Sequence, residues 1–128
     1  MMKATLKLTV SPDNYSIHRL DPASPIPENV LQSGTYFIGK TDEELSIVCD
    51  SDLPIDSTNS VSGWSYIKVM GPLDFNLQGV LSGISGILAD AGISICAIST
   101  FDTDYVFVRI SDLDKAESAL EKAGYEFV

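Results

Sequence analysis

A long amphipathic helix pattern in the second half of the chain limits the fold more than any other feature of the sequence. Apolar residues recur along residues 75–91 at spacings of three and four: Leu77, Val80, Leu81, Ile84, Leu88 and Ala91. This spacing predicts one helix with a single buried face. Asp74 stands where it would cap the start of that helix, and Gly92 stands where it would end it.

Strand patterns surround this helix. Residues 65–70 alternate in polarity before it, and residues 93–100 and 105–110 are apolar and β-branched after it, on either side of a turn at 101–104. A second helix is predicted over residues 111–123, and a short strand ends the chain. The order β-α-β-β-α-β predicts an α+β, ferredoxin-like unit, in which an antiparallel sheet carries two helices on one face.

The first half of the chain carries strand patterns but little helix. Four stretches there are predicted strands: residues 5–10, 15–20, 34–39 and 44–49. The first two could form a hairpin. Prolines at positions 22, 25 and 27 limit any helix to about one turn at residues 28–32. Residues 50–63 are rich in Asp, Ser, Pro and Asn, which predicts an exposed linker.

The two halves of the chain resemble each other at an offset of 60 residues. Seven residues between positions 11 and 53 recur 60 positions later: Pro12, Ile38, Asp42, Val48, Ser51, Asp52 and Leu53. Turns coincide with turns and strands with strands, and Asp42 becomes the counterpart of Asp102. We therefore predict two related modules, a degenerate one at residues 1–60 and a complete one at residues 61–128.

Composition argues against several classes of function. Eight Lys and Arg stand against eighteen Asp and Glu, and the net charge of −10 would repel nucleic acid and anionic membranes. No stretch reaches the roughly 18 apolar residues of a membrane span. Cys49 and Cys96 lack the spacing of a zinc site, and His18 has no nucleophile motif beside it. We therefore expect a cytoplasmic protein that is not an enzyme, uses no metal or cofactor, and binds neither nucleic acid nor membranes.

Three segments of the chain resemble a known family. They are Gly-Pro-Leu-Asp-Phe at 71–75, the segment at 95–106 that contains Phe-Asp-Thr-Asp-Tyr, and Thr-Asp-Glu-Glu-Leu-Ser-Ile-Val-Cys at 41–49. The chain resembles the ACT-domain family, and within it the small tandem proteins related to the cytosolic CASTOR-type arginine sensors. The resemblance implies ACT modules that pair side by side and bind an amino acid, or a similar small zwitterion, at the seam between modules. Because the CASTOR-type sensors are longer, it also implies a homodimer.

Eleven residues are expected to form the ligand site: Asp74, Phe75, Asn76, Leu77, Ile95, Cys96, Ala97, Ile98, Ser99, Asp102 and Asp104. The N–H groups of residues 74–77 would bind the ligand's carboxylate at a helix start. Asp74, or the backbone carbonyls of residues 95–99, would bind its amino group. Asp102 and Asp104 would select a cationic side chain.

Each of these features also has a plain structural interpretation. Asp74 could be only a helix cap, Asp102 and Asp104 could form only an acidic turn, and residues 95–99 could be an ordinary paired strand. The glycines at 79, 83 and 86 indicate either close helix packing or the approach of a ligand or another backbone. The alternative function is a homodimerising interaction module with no small-molecule ligand.

Overall fold

The computed structural model describes residues 6–70 and 79–128, which divide into two compact units. The smaller unit is Asp13–Trp64, and the larger unit combines the chain up to Pro12 with Ser65–Val128. The elements are β1 (Lys7–Val10), β2 (Tyr15–Leu20), α1 (Glu28–Leu31), β3 (Phe37–Lys40), β4 (Leu45–Asp50), β5 (Asn59–Val69), α2 (Val80–Asp90), β6 (Ile95–Ser99), β7 (Asp104–Arg109), a 3-10 turn (Ile110–Asp112), α3 (Leu113–Lys122) and β8 (Glu126–Phe127).

The larger unit has the predicted β-α-β-β-α-β order with one additional strand. β6 pairs antiparallel with β7, and β7 pairs with the second part of β5. β1 lies between β5 and β8, antiparallel to β5 (Leu8 opposite Val69) and parallel to β8 (Leu8 opposite Phe127). The prediction of a hairpin between the first two strands is therefore wrong, because β5 and β8 occupy both edges of β1.

Both helices of the larger unit bury an apolar face in one core. Ile84 and Leu88 of α2 and Leu120 of α3 are fully buried, as the helical spacing predicts. Each such side chain contributes about 1.5–3 kcal/mol to folding. The predicted helix start is wrong: α2 begins at Val80, and its N-cap residue is Gly79, with a φ of 79°. Asp74, which is predicted as the cap, lies outside the described residues.

The smaller unit has the strand order of the same fold with only a short helix. Its strands lie in the order β3, β4, β2 and the first part of β5, and every pair is antiparallel. Its core contains Leu20, Val30, Leu45, Ile47 and Cys49. The larger unit has the order β6, β7, the second part of β5, β1 and β8. Apart from the added β1, this is the same order as in the smaller unit: the second, third, first and fourth strands of the repeat. The predicted α+β, ferredoxin-like class is confirmed, and the smaller unit is the degenerate copy.

Two details of the smaller unit differ from the prediction. Residues 59–63, expected as part of a linker, form the start of β5. The β3–β4 and β6–β7 hairpins have equivalent four-residue turns, closed by hydrogen bonds from Thr41 N to Glu44 O (2.9 Å) and from Thr100 N to Thr103 O (2.8 Å). These turns are 59 positions apart, so the counterpart of Asp102 is Glu43 and not Asp42. The module boundaries at 1–60 and 61–128 stay a prediction.

No helix in the described ranges is both long enough and apolar enough to cross a membrane.

The structure explains one of the three glycines at positions 79, 83 and 86 by close packing. A methyl group on Gly83 would lie 3.0 Å from the hydroxyl of the buried Tyr125, whereas nothing lies within 4 Å of one on Gly86. We expect Gly86→Ala to stabilise the protein by about 1 kcal/mol through helix propensity, and Gly83→Ala to lose that gain to the contact. Urea unfolding of each variant measures these changes in the free energy of unfolding.

Tyr125→Phe supplies the control for this comparison, because it removes only the hydroxyl. In the Tyr125→Phe background, Gly83→Ala should be as favourable as Gly86→Ala. If Gly83→Ala remains unfavourable without the hydroxyl, the close contact is not the reason for Gly83.

Candidate functional site

Five of the predicted site residues form strand β6 at one edge of the larger unit. β6 pairs with β7, and no other strand in the described part of the chain pairs with it. Ala97 and Ser99 are exposed, and Ile95, Cys96 and Ile98 are half-buried. The outer edge of β6 therefore presents backbone N–H and C=O groups, which is the position that the predicted site requires.

The turn after β6 places the two predicted carboxylates in different surroundings. The Ser99 hydroxyl donates a 2.5 Å hydrogen bond to Oδ1 of Asp104, and these two residues face each other across the β6–β7 pair. Asp102 lies in the turn and is exposed. Asp102 and Asp104 do not lie on one extended segment, because the chain turns at residues 100–103. The structure nevertheless gathers Ser99, Asp102 and Asp104 at one end of the hairpin.

Thr103 anchors this turn, and no sequence pattern indicates its role. Its side chain is 5 % exposed, and its hydroxyl donates a 2.6 Å hydrogen bond to the carbonyl of Val69. Thr103 thereby fixes the turn to the end of β5, two residues before the segment that contains Asp74. This bond joins the segment that carries both acidic residues to β5.

The other four predicted site residues, Asp74, Phe75, Asn76 and Leu77, lie outside the described residues. Their part in a ligand site stays a prediction.

A concavity of about 350 Å³ in the smaller unit is a further candidate, and it lies partly in the segment predicted as a linker. Its lining is mostly polar and acidic: Asp13, Tyr15, Ser33, Gly34, Thr35, Asp50, Asp52 and Leu53. Tyr15 and Asp50 face each other on β2 and β4. Its volume is at the lower end of small-molecule sites, and its three carboxylates favour a cationic ligand. Across the described residues, no three His, Cys, Asp or Glu side chains come close enough together to hold a metal ion.

The single histidine and both cysteines lie in surroundings that favour their uncharged forms. His18 is 8 % exposed, its Nδ1 lies 2.9 Å from the Ser57 hydroxyl, and its buried Nε2 has no hydrogen-bond partner among the described residues. Burial lowers the pKa of His18 and raises the pKa of Cys96. Burial also raises the pKa of Cys49, and the charge of Asp50 adds to this shift. Near neutral pH, these groups are therefore a neutral imidazole and two thiols.

Comparison with family models identifies the larger unit. The model of the ACT domain matches residues 59–122, half of the chain, and a second model, described as an N-terminal domain, matches residues 13–56. The chain belongs to the ACT domain family. A comparison with curated proteins gives no match.

Solved structures share this fold over nearly the whole chain. A protein of Agobacterium tumefaciens is 37 % identical, with a TM-score of 0.88, covering 96 % of this chain and 92 % of that one. A Vibrio cholerae protein of unknown function is 18 % identical, with a TM-score of 0.72 and coverages of 94 % and 91 %. The ligand-free regulatory subunit of aspartate kinase from Thermus thermophilus is 13 % identical, with a TM-score of 0.66 and coverages of 91 % and 95 %. At these last two identities the likeness shows the fold alone.

The anchoring role of Thr103 can be tested with an isosteric change. Thr103→Val leaves the carbonyl of Val69 buried without its donor, so we expect it to lower the free energy of unfolding by about 1–3 kcal/mol. Thr41→Val is the control, because Thr41 lies in the equivalent turn of the smaller unit and its hydroxyl accepts only from the exposed N–H groups of Glu43 and Glu44, whose loss water can replace. Equal losses in urea unfolding would contradict the anchoring role.

Burial of His18 predicts a dependence of stability on pH. The unfolded chain binds a proton at His18 below about pH 6.5, whereas the folded chain resists it, so this contribution is complete above that pH and is lost as the pH falls. His18→Gln removes the titration. We expect the fall in stability between about pH 7.5 and about pH 5.5 to be larger in the wild type than in His18→Gln. Equal pH dependence of their urea midpoints would show that His18 does not contribute.

Proposed function

We propose that the protein is a non-catalytic regulatory protein that binds a free amino acid along the outer edge of β6. The observation that carries the proposal is a strand edge, in a unit of ACT fold, that no other strand of the described residues covers and that lies beside the carboxylates of Asp102 and Asp104. The likeness in fold to an aspartate kinase regulatory subunit adds support. The resemblance to CASTOR-type sensors supports the same class of ligand.

The ligand's groups match the chemistry of this edge. Its ammonium group would donate to the carbonyls of β6 and lie near Asp102 and Asp104, whose charges favour a cation. Its carboxylate would accept hydrogen bonds from N–H groups of residues 74–77. A cationic side chain, as in arginine or lysine, would gain further from the exposed Asp102.

Regulation would follow from what the bound ligand does to the edge of β6. A ligand can shift an equilibrium only by its difference in affinity for two states. Here the two states are an edge open to solvent and an edge covered by a second module. A ligand that binds at the seam favours the covered state, and so converts amino-acid concentration into a change of assembly.

The outer edge of β6, which pairs with no strand in residues 6–70 and 79–128, also favours the second candidate function. Its backbone groups could pair with the same strand of another copy, which would give a homodimer without any ligand. In both cases we propose a cytoplasmic protein without metal, cofactor, nucleic acid or membrane partner.

A thermal-shift screen against the common amino acids tests the ligand. An amino acid at 100 times its Kd should stabilise the protein by about 2.7 kcal/mol, which raises the melting temperature by several degrees. Asp104→Asn should reduce this rise. Asp114→Asn is the matched control, because it removes an exposed carboxylate from α3 of the same unit.

The two candidate functions give different results in this screen. A rise that Asp104→Asn and Asp114→Asn retain equally would move the ligand away from β6. No rise with any amino acid, together with a dimer in multi-angle light scattering, would favour the interaction module.

A further inference from the structure

We propose that the smaller unit carries a separate site for a small zwitterion, a compound with one carboxylate and one ammonium group, on one face of its sheet. A concavity of about 150 Å³ lies there. Its lining combines both charges, amide and hydroxyl groups, and aliphatic side chains: Ile17, His18, Arg19, Glu44, Ser46, Asn59, Ser60 and Val61. This site does not depend on the one proposed along β6.

Strand register places three of the concavity's polar residues in one row. Arg19 on β2 lies opposite Ser46 on β4 and opposite Asn59 on β5. Directly opposed residues of antiparallel strands share a face of the sheet. A guanidinium, a hydroxyl and an amide therefore lie side by side across three strands.

A second, apolar row lies beside the polar one. Ile17 is opposite Val48 on β4 and Val61 on β5. Val61 is 52 % exposed, which is unusual for an aliphatic side chain on a paired strand. The apolar row offers a surface for a short aliphatic side chain of the ligand.

The two charges of the concavity are held apart. One terminal nitrogen of the Arg19 guanidinium donates a 3.0 Å hydrogen bond to the carbonyl of Glu43, which fixes the side chain against the β3–β4 turn. Arg19 and Glu44 both line the concavity, yet in the described part of the chain they form no ion pair with each other. The remaining guanidinium donors suit a carboxylate, and the Glu44 carboxylate suits an ammonium group.

Size narrows the class of ligand. A volume of about 150 Å³ equals about five water molecules in the liquid, which corresponds to a ligand of roughly five to eight non-hydrogen atoms. Small free amino acids have this size and both charges. The acidic concavity of the same unit is lined by carboxylates without Arg or Lys, so it offers no cationic side chain to a ligand's carboxylate.

The test is a titration of the full chain, labelled with nitrogen-15, with glycine, L-alanine and L-serine at millimolar concentration. We expect amide shifts in β2, at the start of β4 and at the start of β5. Propionate and ethylamine each lack one charge of L-alanine, so each should bind at least about tenfold more weakly. Equal shifts with L-alanine and with a one-charge analogue would overturn the proposal.

Matched variants test which side chain binds the ligand's carboxylate and which binds its ammonium group. Arg19→Gln should weaken L-alanine binding about tenfold, and Arg109→Gln should leave it unchanged, because Arg109 is the other of the chain's two arginines and lies in the larger unit. Glu44→Gln should weaken binding, and Glu43→Gln should not. If Arg19→Gln disturbs the fold, Glu44→Gln and Asn59→Ala still decide, because binding that survives both overturns the proposal.

The location of the shifts separates this site from the one proposed in the larger unit. Shifts confined to β6 and its turn would overturn this inference and support the proposed function. Shifts confined to β2, β4 and the start of β5 would support this inference and count against the β6 site. No shift with any of the three amino acids would overturn the zwitterion site, and the wider thermal-shift panel would then decide the proposed function.

Discussion

Strand β5 contributes residues to both units, and its backbone is constrained by one irregularity, the bulge at Gly63. Tyr15 pairs with Trp64, but Ile17 pairs with Val61, so two residues of β5 lie opposite one residue of β2. Gly63 has a φ of 85°, which a residue with a side chain rarely adopts, and it supplies the extra residue. One added residue exchanges the faces of odd and even positions. Before the bulge, Val61 shares the face of Ile17 and is exposed, whereas after it Ile67 and Val69 are buried in the larger unit's core.

Periodicity predicts the elements of this fold better than it predicts their partners. The burial of Ile84, Leu88 and Leu120 follows directly from helical spacing. The start of β5 could not be predicted as a strand, because residues 59–63 contain one aliphatic residue and are largely exposed. The neighbours of β1 could not be predicted for a different reason: alternation shows that a strand has a buried face, but not which strands lie beside it. The two concavities and the anchoring bond of Thr103 join residues far apart in sequence, which local patterns do not report.

Net charge restricts which ligands this protein attracts. At −10, the chain repels anions at long range and favours cations at the acidic turn and at the acidic concavity. A free amino acid with an uncharged side chain has no net charge and meets no such barrier. Its carboxylate nevertheless needs a local donor in a protein with only eight basic residues. Within the smaller unit, Arg19 provides that donor beside a carboxylate that suits the ammonium group.

The two equivalent turns show how the fold can be repeated while the chemistry differs. Thr41 and Thr100 begin turns closed by the same backbone hydrogen bond, and the last turn positions are Glu44 and Thr103. In the larger unit, the side chain at this last position is buried and bonded to Val69, so it serves stability. In the smaller unit, the side chain at the same position lines a concavity that also contains Arg19. Each turn is closed by that backbone bond and by the hydroxyl of its first residue, neither of which uses the side chain at the last position. That side chain could therefore change without loss of the hairpin, and the smaller unit could use it for binding.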